Sequence, residues 1–226
     1  MQASHKLDTP IKHASLEVHK AFCQTYRGAE FYKPQYCGFG SIHPDCDGTE
    51  AIEKYTDLTP SFYILGPKPI CSNTVNIKKA HICNQMWLLA PMKYNIDEPI
   101  IPLVTKKQIK DLQELVTLVM PGFIKSKTSD LGRYFGIYKD NLLVAVCGER
   151  IKMDEYTEIS SVVTHPNYTR RGYSKQLMKH TTDLVFKEGK IPFLHVDEIN
   201  TKANNLYSKL GFTTRKKLEF WLVTED

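Results

Sequence analysis

From residue 105 onward the chain switches repeatedly between two hydrophobic periods. Ile109, Leu112, Leu115, Val116 and Val119 recur at helical spacing behind Thr105, a residue type that caps helix N-termini, so a helix is predicted over 106–118. Apolar and aromatic runs at 134–138 and 142–147 flank Lys139-Asp140-Asn141, which predicts a hairpin with a short polar turn. Residues 158–164 give a third strand, closed by His165-Pro166. Leu177, Met178, Thr181, Leu184 and Val185 share one face of a helix predicted over 174–186, with Gly189 behind it. A strand at 191–196, a helix at 201–210 stopped by Gly211, and one or two strands within 212–223 complete the series. This alternation predicts an α/β unit with a mixed central sheet.

The first hundred residues read differently, with more aromatic and turn residues. Leu16, His19, Lys20 and Cys23 suggest a short helix over 16–23, and 50–58 suggests another. Residues 28–48 are punctuated by glycine and proline and read as loop with short extended pieces. Strands are expected at 61–65 and 83–89, and a connector at 97–102. No internal repeat or low-complexity tract is visible. The expected division is a divergent domain over 1–102 and a regular one over 103–226.

Composition narrows the function more than the fold. At 226 residues, 42% hydrophobic and 24% charged, the chain reads as globular, without an apolar run long enough to cross a bilayer. Its start, MQASHKLDTP, has no apolar stretch of the secretory kind, so a cytoplasmic address and no membrane partner are expected. The net charge of +5 is dispersed over Lys78-Lys79, Lys106-Lys107, Arg170-Arg171 and Arg215-Lys216-Lys217. A nucleic-acid binder concentrates such charge on one element, so an anionic small ligand is the better reading and no nucleic-acid partner is expected. The six cysteines read as reduced thiols. Cys37, His43, Cys46, His81 and Cys83 lack the paired spacing of tetrahedral metal ligands, and no metal is expected.

The chemistry concentrates in EISSVVTHPNYTRRGYSKQLMKH. A strand enters a loop holding Gly172, and a helix starts directly behind it. Such a helix presents unpaired N–H groups and the positive end of its dipole, and glycine lets backbone approach an anion closely. Arg170, Arg171 and Lys175 add charge, so the loop suits a pyrophosphate.

The segment resembles motif A of the GCN5-related N-acetyltransferase (GNAT) superfamily, in which Gln/Arg-x-x-Gly-x-Gly/Ala cradles the pyrophosphate of CoA. The downstream stretch Asn200-TKA-Asn204-Asn205-Leu206-Tyr207-SKL-Gly211-Phe212 resembles that superfamily's motif B, and GRYFGIY, GERIKMDEYTEIS and PFLHV are most similar to its FR47-like branch. The resemblance covers about 105–223. It implies a mixed, mostly antiparallel central sheet flanked by helices, preceded by a divergent α+β half that could be a degenerate second GNAT unit. Within the loop, Thr169 stands where Gln or Arg is usual, Arg170 where glycine is frequent, and Ser174 where Gly or Ala is usual; Gly172 is retained.

Carried over position by position, the resemblance implies acetyl-CoA as co-substrate. Its phosphates would lie on Thr169, Arg170, Arg171, Gly172, Tyr173, Ser174 and Lys175, and its pantetheine amides on Val162, Val163 and Thr164. Asn200 and Asn204 match positions that reach the pantetheine arm, and read equally as polar residues of a helix N-terminus. Tyr207 would protonate the departing thiolate, or is a packed aromatic. Glu158, if partly buried with a raised pKa, would be the general base; a solvated edge carboxylate or a partner for Arg150 competes with that reading, and Glu149 is the second candidate base. His165 and His195 read as structural groups, and Cys147 as an inert thiol. The implied activity is direct acetyl transfer to a primary amine, on a small molecule or a peptide, in a ternary complex. The competing reading is a regulatory CoA-binding module without turnover.

Overall fold

The computed structural model describes residues 5–225, which form one eleven-stranded sheet with helices on both faces. The strands are β1 (Cys23–Tyr26), β2 (Ala29–Tyr32), β3 (Phe39–Ile42), β4 (Ser61–Leu65), β5 (Val75–Trp87), β6 (Ile101–Pro102), β7 (Tyr134–Lys139), β8 (Leu142–Lys152), β9 (Tyr156–Thr164), β10 (Ile191–Asp197) and β11 (Thr213–Glu225). The helices are α1 (Pro10–Leu16), α2 (Thr49–Thr56), α3 (Lys106–Val119), α4 (Tyr173–Lys187) and α5 (Thr201–Lys209). Of the ten strand pairings only β3–β4 and β9–β10 are parallel, so the sheet is mixed and mostly antiparallel.

The helices of the second half form where periodicity places them. Thr105 caps α3 in a reciprocal capping box with Gln108, and Leu112, Leu115 and Val116 are buried against β8 and β9. Leu177, Met178 and Val185 of α4 are fully buried on the opposite face, each contributing about 2 kcal/mol of apolar burial. Asp140 and Asn141 take positive φ in the β7–β8 turn, as a tight hairpin requires.

The first half departs from expectation in two places. No α-helix covers 16–23: α1 ends at Leu16, which is 62% exposed, the buried stripe is Ile11, Ala14 and Ser15 behind Pro10 at the first turn, and only a 3-10 turn at Lys20–Phe22 follows. β5 is thirteen residues long and begins at Val75 rather than near residue 83. The short extended pieces expected within 28–48 are β2 and β3, every residue of which is buried.

Strand order is β1-β2-β3-β4-β11-β5-β10-β9-β8-β7-β6, so β5 lies between β10 and β11, and β11 between β5 and β4. Strands from both sides of residue 102 are thus interleaved in one sheet. The order β1-β2-β3-α2-β4 also repeats β7-β8-β9-α4-β10, each with two antiparallel pairings and then a parallel one across a helix. His43-Pro44 leads from β3 towards Gly48 and α2 as His165-Pro166 leads from β9 towards Gly172 and α4. This repeat is carried by topology and turns, with too few matching side chains to be visible in the sequence.

Candidate active site

β9 and β10 pair only through Tyr156–Ile191, Thr157–Pro192 and Glu158–Phe193. Beyond these, β9 bonds only β8 and β10 bonds only β5, so a gap opens between the parallel strands. On the β9 side of the gap is a bulge: Val146 faces Val163 and Gly148 faces Ser160, leaving Ser161 and Val162 opposite the single Cys147. Ser161 takes φ 51°, a left-handed conformation that costs a non-glycine residue about 1–2 kcal/mol. The bulge leaves Ser161 and Val162 out of the β8–β9 register, on the strand that borders the gap. Sequence reading did not single out Ser161; its conformation depends on β8 register and has no local signature.

The loop after β9 leads to the N-terminus of α4. Gly172 caps the helix with φ 80° and no side-chain cap, and a Cβ there would lie 3.4 Å from the Tyr94 hydroxyl. Arg170 is also left-handed, at φ 64°. Among the described residues, the backbone N–H groups of Gly172, Tyr173 and Ser174 have no partner, so they are free to meet an anion. The Thr164 hydroxyl meets the Ser174 hydroxyl at 2.8 Å, tying the end of β9 to the first turn of α4. Thr169 makes only a long 3.4 Å bond to the Pro166 carbonyl, and His165 accepts the Asn167 N–H. Arg171 stacks on Tyr168, Lys175 lies over the Tyr94 ring, and the Tyr173 ring is buried beneath Lys139. Tyr94 belongs to the segment entering the second half, which Gln176 anchors by accepting the N–H groups of Asp97 and Glu98.

Glu158 is not partly buried with a raised pKa. Its side chain is fully buried, with Arg150 Nε at 2.8 Å from Oε2 and Arg150 Nη2 at 2.7 Å from Oε1. Burial alone would raise the carboxyl; the Arg150 charge, its two hydrogen bonds and His195 outweigh it and hold the group down at about 2. Such a carboxylate does not take a proton near neutral pH. His195 Nδ1 lies 2.8 Å from Oε1, and its Nε2 lies 3.0 Å from Gln85 Nε2. Gln85 Oε1 accepts Arg215 Nε, and Gln85 Nε2 donates to the Leu7 carbonyl. Those partners fix the amide orientation, so Gln85 donates to Nε2 and His195 carries its proton on Nδ1. Glu149 is likewise fully buried; burial opposes ionisation, but Arg133 and Lys152 lower its pKa.

The two asparagines are engaged within the protein. Asn200 caps α5 by accepting the Ala203 N–H. Asn204 Nδ2 donates to the carbonyls of Asp197 and Asn200, and its Oδ1 accepts from Asn84. Tyr207 is buried on the α4 side of the gap beside Leu194, Val196 and Ile159, and burial raises its pKa. Its hydroxyl has no hydrogen-bond partner among the described residues. All six cysteines are free thiols, and burial lifts Cys147 to about 12. Among the described residues no cluster of three or more His, Cys, Asp or Glu is placed to hold a metal, and no helix is long and apolar enough to cross a membrane.

A parallel strand pair that opens beside a bulge, followed by a helix N-terminus with unpaired N–H groups, within a mixed and mostly antiparallel sheet flanked by helices, is a fold of the GNAT type. Residues 134–222 match the family model described as FR47-like protein. No curated protein sequence matches the chain. Among solved structures, a protein described as a GNAT-family acetyltransferase from Novosphingobium aromaticivorans superposes with TM-score 0.88 at 23% identity, over 99% of this chain and 100% of that one. A GCN5-related N-acetyltransferase from Kribbella flavida gives 0.59 at 12% identity, over 94% and 95% of the two chains. A GCN5-related N-acetyltransferase-like protein from Streptococcus suis gives 0.60 at 13%, over 97% and 94%. Residues 134–222 thus resemble the FR47-like family, and the chain as a whole shares the fold of these acetyltransferases.

Proposed function

We propose that the chain moves the acetyl group of acetyl-CoA directly to a primary amine within a ternary complex. The observation that carries this reading is the gap between β9 and β10 opening beside the Ser161 bulge, in line with the free N-terminus of α4. The pyrophosphate would meet the N–H groups of Gly172, Tyr173 and Ser174, with Thr169, Arg170, Arg171 and Lys175 around it. Val162, Val163 and Thr164 would bond the pantetheine amides, and bulge N–H groups would polarise the thioester carbonyl. Tyr207 would protonate the thiolate, its unpaired hydroxyl being free to do so.

Two roles change from those the sequence suggests. Glu158 is a positioning residue, joining Arg150 and His195 across the last paired step of β9 and β10. Asn200 and Asn204 shape the far side of the gap by holding α5 against β10. The half before residue 102 would cover the α3 face and shape the acceptor side. Its repeated strand order favours descent from a second copy of the same unit, in which Asp45, Asp47 and Glu50 replace the basic loop.

The test follows free thiol from acetyl-CoA with a panel of primary amines, alongside calorimetry with CoA alone. Amine-dependent release supports transfer; CoA binding without release from any amine favours the regulatory module. No binding removes both.

A further inference from the structure

The buried state of Glu158 leaves the reaction without a base, and the face of the sheet opposite α4 supplies another candidate. Leu194 and Val196 of β10 pack into the α4-side core, so His195 and Asp197 alternate onto the other face. Asp197 lies four positions beyond the last paired couple of β10, and Val162 lies four beyond it on β9. Asp197 therefore stands across the open gap from the bulge. Its Oδ2 is hydrogen-bonded to Nδ1 of His81, which β5 brings alongside, and its Oδ1 accepts the Ile199 N–H. The two side chains are 35% and 23% exposed, so water and ligands reach them, unlike Glu158.

The carboxylate only accepts, which places the imidazole proton on Nδ1 and leaves the Nε2 lone pair outward. Among the described residues Nε2 has no partner. Above it stand two rings: Tyr63 of β4, its centroid 6.0 Å from that of His81, and Phe123 stacked on Tyr63 at 6.4 Å. Phe123 is 42% exposed and sits on the loop after α3, which reaches the first half through a bond from the Lys127 N–H to the Gln35 carbonyl. An aromatic wall beside a carboxylate-backed imidazole suits an ammonium group on an apolar body.

Resting on the acetyl-transfer reading above, we propose that His81, oriented by Asp197, is the catalytic base that deprotonates the acceptor amine beneath the Tyr63–Phe123 rings. Nε2 takes one proton from the ammonium. The freed nitrogen pair forms the N–C bond at the acetyl carbonyl carbon, the C–S bond breaks as the Tyr207 hydroxyl gives its proton to the thiolate, and a second N–H proton restores that hydroxyl. His81 then returns its proton to solvent. The ionisable groups facing the imidazole are Asp197 from β10, Tyr63 from β4 and Cys83 two positions on along β5. Lys79, two positions back, is paired with Glu219.

The experiment compares full-length wild type, H81Q and D197N by thiol release from acetyl-CoA, with phenethylamine, hexylamine and hydroxylamine as acceptors. The two alkylamines are almost wholly protonated near neutral pH and need a base; hydroxylamine is mostly neutral and does not. H81Q should lose about 100-fold or more in kcat/KM for the alkylamines, the usual size of a general-base contribution. It should lose less than about fivefold for hydroxylamine, and the acidic limb of its pH–rate profile should vanish. D197N should shift that limb and lower kcat with KM for acetyl-CoA unchanged. Equal rates for H81Q and wild type on an alkylamine, or an equal loss on all three acceptors, would overturn the proposal while leaving acetyl transfer intact. Should H81Q fail to fold, a D197N profile identical to wild type overturns it by itself. No release from wild type with any acceptor, though CoA binds, counts against acetyl transfer and removes the proposal with it.

Discussion

Arg150 holds both carboxylate oxygens of Glu158, at 2.8 and 2.7 Å, with the carboxylate itself fully buried. The pair sits at the point where β9 and β10 stop bonding each other, and it fixes where the gap begins. Removing one partner leaves a buried charge alone. E158Q should therefore lose about 3–5 kcal/mol of stability, seen in chemical denaturation, while any residual activity keeps the wild-type pH dependence.

The same carboxyl sets an acid limit. Its folded-state pKa of about 2 lies below the ordinary 4.5, so its contribution is fully present above the unfolded value and fades as pH falls through the folded one. Thermal melts between pH 6 and pH 2 should show stability falling across that window, and the fall should be shallower in E158Q.

Gly172 meets two demands at once, a left-handed backbone and closeness to the Tyr94 hydroxyl. G172V should weaken CoA binding at least about tenfold in calorimetry, since strain of about 1–2 kcal/mol falls on the loop that receives the phosphates. The melting temperature should fall only slightly, because nothing in the core rests on this position. An intact CoA affinity would remove the loop from the binding site.

Tyr207 offers a cleaner separation. Among the described residues its hydroxyl bonds nothing, so Y207F should fold as wild type does. If the hydroxyl protonates the leaving thiolate, kcat should drop about 100-fold with KM for acetyl-CoA unchanged. An unchanged kcat would return the residue to a packing role.

Arg171 should contribute through charge rather than shape. R171A should weaken CoA binding severalfold at low ionic strength and less at high salt, since the group is exposed on the Tyr168 ring. A loss that does not depend on salt would argue for a direct, desolvated contact instead.

What could be read from the sequence follows the range of the forces involved. The stripe of α3, the loop at Gly172 and the stop at Gly211 are local and were legible. For Glu158 the sequence left a pairing with Arg150 open beside the role of base, and the structure makes that pair; its full burial and its contact with His195 were not legible, because they depend on the β9–β10 pairing. His81 and Asp197, 116 positions apart, meet only because β5 is inserted beside β10. Lys78 and Lys79 hid the length of β5, since its outer half is only partly covered and carries no alternating pattern.

That inserted strand also dictates when the molecule can become whole. β5 is synthesised long before β10 and β11, the two strands that flank it. Until β11 emerges from the ribosome, β4 and β5 carry open edges of the kind that invite wrong pairing. Closure of the sheet is therefore a late, long-range event, and a nascent chain halted near residue 200 would be a client for chaperones rather than a half-finished enzyme.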